Sequence, residues 1–195
     1  MASDQHPDRQ GERQTYLLVD GENIDATLGM SVLNRRPLAE ERPRWDRVRE
    51  FLSRTWEQPV RGLFFLNASS GQMPMGFVQA LIAMNYQPIP LAGETGEKVV
   101  DIGIQRTLEA IAKREGDVVL LSHDGDFLPH IEHLLTAGRR VALVGFREFI
   151  SSQFTHLIAS GLQIFDLEDE IGAFTSVLPR VRIIPLASFD PERYL

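Results

Sequence analysis

The chain has 195 residues, of which 43% are hydrophobic and 24% are charged, and this is the composition of an ordinary globular domain. It contains no cysteine, which excludes disulfide bonds, thiolate zinc sites and cysteine nucleophiles. Its formal net charge of -7 argues against a strong general attraction to nucleic acid, because that attraction depends on Lys and Arg side chains that neutralise phosphates.

Residues 1–14 are polar and offer almost nothing apolar to bury, so they predict a disordered leader in front of the folded domain. They lack the apolar segment of a secretion signal, and no later apolar run approaches the roughly 18 residues that cross a bilayer. We therefore predict a soluble cytoplasmic protein without a membrane partner.

From Tyr16 to Phe165, short apolar runs alternate with stretches whose apolar residues recur at helical spacing. This alternation predicts right-handed βαβ crossovers, and therefore a three-layer α/β/α sandwich around a mostly parallel sheet of about five to six strands. Residues 28–44 predict an irregular connection. The predicted strands are Tyr16–Val19, Arg61–Leu66, Tyr86–Ile89, Val118–Leu121, Val141–Val144 and Gln163–Phe165. The predicted helices are Trp45–Trp56, Phe77–Met84, Val99–Arg114, Leu128–Thr136 and Ser151–Ala159.

We assign residues 15–167 to this α/β domain and residues 168–195 to a C-terminal extension of uncertain structure. Within the extension, the segment VRIIPL predicts either an edge strand or an arm that lies on a partner. Around the last crossover, four apolar side chains are either core residues or a dimer surface, and the second alternative would make the protein a homodimer. These side chains are Leu143, Phe146, Phe149 and Phe154.

Four aspartates fall where predicted strands end or a predicted helix begins. In an open α/β sheet the functional crevice lies outside the carboxyl ends of the strands, so these acids are candidate site residues. Turn and helix-cap chemistry is the alternative explanation for three of them. The other, Asp101, lies beside a core-facing helical stripe, and its alternative is a first-turn acid favoured by the helix dipole. The four acids are Asp20, Asp101, Asp124 and Asp126.

Together, the four aspartates are a plausible set of oxygen ligands for Mg²⁺ or Mn²⁺, and such ions support phosphodiester hydrolysis. The acids would then be both the catalytic and the metal-binding residues. Asn23 could orient a water or a phosphate, and Ser122 could hydrogen-bond a carboxylate, although both are also common cap residues. Lys98 either neutralises Asp101 or binds phosphate, and His123 lies inside the acidic turn.

Two further groups of residues have alternative explanations. The segment 35–54 contains seven arginines interleaved with four acids, and it predicts either a solvated helix face or an RNA-contacting one. His130 and His133 lie three residues apart on a predicted helix, where they either share a soft metal or have surface and helix-packing roles.

Three motifs occur in order along the chain: VDGENI at residues 19–24, KVVDIG at 98–103 and LLSHDGDFLPHI at 120–131. Together they resemble the NYN family, the bacterial LabA/DUF88-like group of PIN-like nucleases, and the resemblance runs from about Tyr16 to Phe165. It implies a PIN-like sandwich and a ribonuclease that uses Mg²⁺ or Mn²⁺ on RNA. It also implies an acidic site at Asp20, Asp101, Asp124 and Asp126, with polar helpers at Asn23 and Ser122.

The chain departs from the family pattern at His123, because many members have glycine there, and this departure puts substrate preference in doubt. The leading hypothesis is a metal-dependent ribonuclease. The alternative is a non-catalytic RNA-binding or adaptor protein that retains the fold, supported by the arginine-rich segment 35–54 and the tail Arg180–Leu195. A phosphatase of the haloacid dehalogenase type, with Asp20 as nucleophile, would need a second aspartate where Glu22 stands.

Overall fold

The computed structural model describes residues 13–184 and 186–195. Six strands form one sheet: β1 (Thr15–Asp20), β2 (Val60–Asn67), β3 (Tyr86–Leu91), β4 (Asp117–Leu121), β5 (Val141–Gly145) and β6 (Gln163–Asp166). Their order across the sheet is β3-β2-β1-β4-β5-β6, and neighbouring strands are parallel. The direction of strand addition reverses between β1 and β4, which places a topological switch point at the centre of the sheet.

The described residues form five α-helices: α1 (Gly21–Thr27), α2 (Trp45–Trp56), α3 (Met75–Ala83), α4 (Val99–Ala112) and α5 (Leu128–Thr136). A π-helical turn, Leu28–Leu33, continues directly from α1. The 3₁₀ segments are Ala39–Glu41, Gly125–Phe127, Arg147–Phe149, Ser152–Ile158, Leu186–Ser188 and Pro191–Arg193.

Each face of the sheet has its own apolar core, because alternate residues of a strand point to opposite sides. Leu17 and Val19 belong to the core under α1 and α2, whereas Leu18 belongs to the core under α4 and α5. Strands β1, β4 and β5 are buried along their whole length, which is typical of central parallel strands covered on both faces. Charged groups are therefore confined to the strand ends, where the candidate site lies.

The predicted α/β class, with a parallel sheet of five or six strands between helical layers, is confirmed. Two local predictions are wrong. Helix α1, which we did not predict, begins at Gly21 and runs into the π-helical turn at the start of the connection that we predicted to be irregular. The predicted last helix is instead the 3₁₀ segment Ser152–Ile158.

Two residues of the predicted leader and part of the C-terminal extension contact the domain. The predicted leader lies outside the described residues except for its last two, of which Arg13 Nη2 lies 2.6 Å from Asp117 Oδ1. In the extension, four side chains are buried in the same core as α2, and they are Ile171, Ala173, Phe174 and Leu178. Residues 181–184 form no strand, so an edge strand does not occur in this described stretch.

The apolar residues that we considered for a dimer surface are part of the interior. Leu143, Phe146 and Phe154 are buried, and Phe149 packs against the core. They therefore give no support to the predicted homodimer. Among the described helices, none is long and apolar enough to cross a bilayer.

Candidate metal centre

Asp20 occupies the carboxyl end of β1, directly beside β4 at the switch point. Its Oδ1 accepts a hydrogen bond from the backbone N–H of Asn23 (3.1 Å), so it caps α1. Its Oδ2 accepts from the hydroxyl of Ser122 (3.0 Å), the residue that follows β4. Asp20 therefore caps a helix and also lies at the candidate site, so the two sequence interpretations do not exclude each other.

Burial dominates the electrostatics of Asp20, of which only 3% is exposed. It raises the pKa of this carboxyl to about 6, although the hydrogen bonds from Asn23 and Ser122 oppose the change. The nearby charges of Asp101 and Glu22 raise the pKa further. A cation beside Asp20 would therefore favour its ionised form.

The other three acids converge in front of this residue. Asp101 lies in the first turn of α4, and Asp124 and Asp126 lie in the turn between β4 and α5. One carboxylate oxygen from each lies within 4.8 Å of the others. Ser122 links Asp20 to these acids, because its hydroxyl also accepts a hydrogen bond from the backbone N–H of Asp124 (3.3 Å). The structure thus brings together Asp101, Asp124 and Asp126, with Asp20 linked to them through Ser122.

A lysine bridges two of these acids. The Nζ of Lys98 lies 3.4 Å from Asp101 Oδ2 and 3.4 Å from Asp126 Oδ2. Hydrogen bonds to Asp126 and then Asp101 raise the pKa of this ammonium. The Lys98 side chain is 66% exposed, so a flexible and hydrated group supplies the compensating charge.

His123 is buried, and both of its ring nitrogens have partners within the protein. Its Nε2 accepts from the backbone N–H of Phe146 (2.9 Å), so the proton of the neutral ring is on Nδ1, 2.9 Å from Asn23 Oδ1. Burial lowers the pKa of His123 to about 4, which keeps the ring neutral. The side chain therefore connects the acidic turn to the end of β5 and to α1.

Asn23 belongs to the same network. Its Oδ1 also accepts from the backbone N–H of His123 (2.9 Å), so this amide joins α1 to the turn that carries Asp124. Sequence reasoning placed Asn23 and His123 near the acids but missed this link. A contact between residues 100 positions apart leaves no local pattern in the sequence.

Other sequence-based candidates stay apart from the acids. His130 Nε2 lies 3.6 Å from Glu109 Oε1 on α4, and among the described residues neither His130 nor His133 joins a group able to hold a metal. Glu22 accepts from the backbone N–H of Asn67 (3.1 Å) at the end of β2. The second aspartate that a phosphatase of the haloacid dehalogenase type needs is therefore absent from this position, where Glu22 stands.

The donor set agrees with a hard divalent cation, since all four acids offer carboxylate oxygen and the protein has no cysteine. The model of the NYN domain family matches residues 14–162, which confirms the predicted resemblance. A crystal structure of a protein of unknown function from Vibrio parahaemolyticus is similar with a TM-score of 0.61 and 20% identity, over 87% of this chain and 98% of that chain. At that identity the likeness shows the fold alone. No curated protein matches the sequence.

Proposed function

Since this chain belongs to the NYN domain family of PIN-like nucleases, we propose that it is a ribonuclease that hydrolyses RNA phosphodiester bonds with Mg²⁺ or Mn²⁺. The observation that carries the proposal is the convergence of Asp101, Asp124 and Asp126 at the switch point of the sheet, in front of Asp20. We further propose that the protein is cytoplasmic and bacterial, as the resemblance implies.

In this proposal Asp101, Asp124 and Asp126 would hold the ion, and the Asp20 carboxylate, which Ser122 links to Asp124, would add negative charge. A bound ion supplies positive charge for the phosphate oxygens and a polarised water. Ser122 keeps Asp20 and Asp124 in register through its two hydrogen bonds. Asn23 and His123 fix the position of the acidic turn.

Lys98 has a separate role in the proposal. Its ammonium neutralises Asp101 and Asp126 in the free protein, and it lies on the solvent side where a phosphate would arrive. Because its side chain is long and exposed, it can turn from the acids to the phosphate when the ion and RNA bind.

The test measures cleavage of labelled RNA by the purified protein with Mn²⁺, with Mg²⁺ and with EDTA. We expect cleavage with a divalent ion only, and a loss of at least about a hundredfold in Asp124→Asn and Asp20→Asn. The control is Asp169→Asn, a more exposed aspartate that lies outside these motifs, and it should cleave like the wild type. An absence of cleavage with either metal, or full activity in both variants, would refute the proposal.

A second candidate function follows from the position of Lys98. Since its ammonium already lies 3.4 Å from two of the three acids, the cluster is partly neutralised without an ion, as expected for a non-catalytic RNA-binding or adaptor protein. RNA binding that EDTA does not change, without cleavage and without bound metal, supports this function. Weak binding without metal, together with cleavage when metal is added, supports the nuclease.

A further inference from the structure

A large cavity opens at the same edge of the sheet as the acids, on the face covered by α1, α2 and α3. Its volume is about 780 Å³, within the roughly 300 to 1,000 Å³ of small-molecule pockets. Two of its lining residues, Gly21 and Glu22, directly follow Asp20 along the chain. The cavity therefore adjoins the end of β1 that carries Asp20.

The wall of the cavity is aromatic. Phe64 packs edge-to-face against Trp45 (5.1 Å between ring centroids) and against Phe77 (5.4 Å), and all three line the space. Gly21 allows α1 to begin close to this wall, since a Cβ at that position would lie 2.5 Å from the Phe64 ring. Phe64 and Trp45 are buried, whereas Phe77 is only partly buried, so the Phe77 ring is the one that offers accessible surface for stacking.

The rim carries arginines, and they differ in how they are paired. Asp25 holds Arg42 through two hydrogen bonds (2.7 and 3.0 Å), and Asp46 holds Arg44 in the same way (3.2 and 3.0 Å). Arg36 lines the cavity, and its side chain has no hydrogen-bond or ion-pair partner in the described part of the chain. It is the rim cation that remains available for an anionic ligand.

A second cavity, of about 660 Å³, continues the space along α1 past Arg35 and shares Glu22, Asp25 and Arg36 with the first. Arg36 therefore lies where the two cavities meet. An aromatic wall beside an unpaired arginine matches the two parts of a nucleotide, because the base stacks on a ring and the phosphate meets a cation.

We propose that the cavity between α1, α2 and α3 takes an unpaired base of a single-stranded RNA, next to the phosphate held at the acids, with Arg36 on the phosphate of that nucleotide. This inference rests on the proposed function for its choice of RNA. It explains how a protein with a net charge of -7 holds RNA, because stacking does not depend on neutralising many phosphates. A base-paired strand must first unpair and unstack a base, which costs free energy, so the cavity favours single strands.

The experiment measures binding of a fluorescein-labelled single-stranded RNA to the full chain in EDTA, where no cleavage occurs. Phe77→Ala should weaken binding about tenfold through loss of one base-stacking surface. Arg36→Glu, a surface change that leaves the core intact, should also weaken binding and lower the slope of log affinity against log salt by about 0.7 or more. The matched control is Arg114→Glu, an exposed arginine at the opposite edge of the sheet, and it should bind nearly like the wild type. Thermal unfolding checks that each variant is folded.

Further ligands identify what the cavity recognises. Replacing one nucleoside of the RNA by an abasic residue should weaken binding to the wild type but not to Phe77→Ala, and a duplex of the same sequence should bind more weakly than the single strand. Equal binding by Phe77→Ala, Arg36→Glu and Arg114→Glu would overturn the inference, as would no binding of single strands. A nucleoside monophosphate that binds as tightly as the RNA would also overturn it, in favour of a free nucleotide.

The result separates this inference from the proposed function. If the protein cleaves RNA with metal but the cavity variants bind RNA like the wild type, only the inference about the cavity is refuted. If RNA binding depends on Phe77 and Arg36 but no metal supports cleavage, only the proposed nuclease activity is refuted.

Discussion

Two groups of carboxylates lie at the carboxyl edge of the sheet, and they differ in the cation that holds them. The open acidic cluster is Asp101, Asp124 and Asp126, with the exposed Lys98 at its side. The closed acidic cluster surrounds Arg180, whose side chain is only 3% exposed. Its carboxylates belong to Glu148, Asp166, Glu168 and Asp169.

The geometry of the closed cluster is that of a structural ion-pair network. Arg180 Nη2 lies 2.6 Å from Asp166 Oδ2, and its guanidinium lies over the ring of Phe146 at 5.0 Å. This guanidinium is buried in the fold, so a divalent ion cannot take its place. At the open cluster the cation is an exposed lysine at 3.4 Å, which a divalent ion could displace from the carboxylates. A group of acids is thus a better candidate metal site when no buried cation is fixed among them.

Removing the cation of the closed cluster should have the largest effect on stability. Arg180→Met leaves the carboxylates of Asp166 and Glu148 without the arginine that pairs with them, and we expect a loss of about 3 to 5 kcal/mol in the free energy of unfolding, measured with urea. Arg182→Met is the control, because its partly exposed side chain pairs with Glu168 and Asp169 and should cost less than about 1 kcal/mol. Equal losses in the two variants would contradict the distinction between buried and exposed cations.

Much of the fold could be predicted because it depends on local patterns. Apolar runs such as Val118–Leu121 and helical spacing from Val100 to Ile111 each follow from short-range burial, and their alternation fixes the parallel sheet. Helix α1 was missed because Asp20 followed by glycine is typical of a turn, and the same aspartate also caps a helix.

The site was predictable only in part, because strand ends can be located from the sequence whereas long-range side-chain contacts cannot. Acids at strand ends meet at one edge of a parallel sheet, so the approach of Asp101 to Asp124 could be expected. Two other contacts depend on how side chains pack across the completed fold. They are the hydrogen bond between His123 and Phe146 and the ion pair between Arg180 and Asp166. No spacing in the sequence encodes such contacts.

His123 connects the two clusters, and its titration should have the next largest effect. The ring of Phe146 stacks on His123 (5.7 Å), while Arg180 lies over the same ring. The unfolded chain protonates this histidine below about pH 6.5, but the folded protein only below about pH 4. Its contribution to stability is therefore full above pH 6.5 and is lost as the pH falls toward 4.

The measurement is the free energy of unfolding against pH for the wild type and for His123→Gln. We expect the difference between them to grow by about 3 kcal/mol as the pH rises through this window. The free energy of the variant must be subtracted from that of the wild type, because both contain Asp20, which has the opposite pH dependence. The pKa of Asp20 is raised to about 6, so its contribution to stability falls as the pH rises from 3.8. A difference that does not change with pH would show that His123 titrates normally in the folded protein.

The smallest effect should come from removing the cation of the open cluster. Lys98→Met takes away a charge just as Arg180→Met does, but its side chain is 66% exposed and water screens the acids. We expect the melting temperature in EDTA to change by no more than about 2 °C. Mn²⁺ should then raise the melting temperature of Lys98→Met more than that of the wild type, because the ion no longer meets the repulsion of the ammonium.

The control is Lys113→Met, the other lysine of the chain, which lies at the far end of α4 and should respond to Mn²⁺ like the wild type. If Mn²⁺ stabilises Lys98→Met less than Lys113→Met, Lys98 assists the ion instead of competing with it, and the open cluster is not a site that exchanges a lysine for a metal.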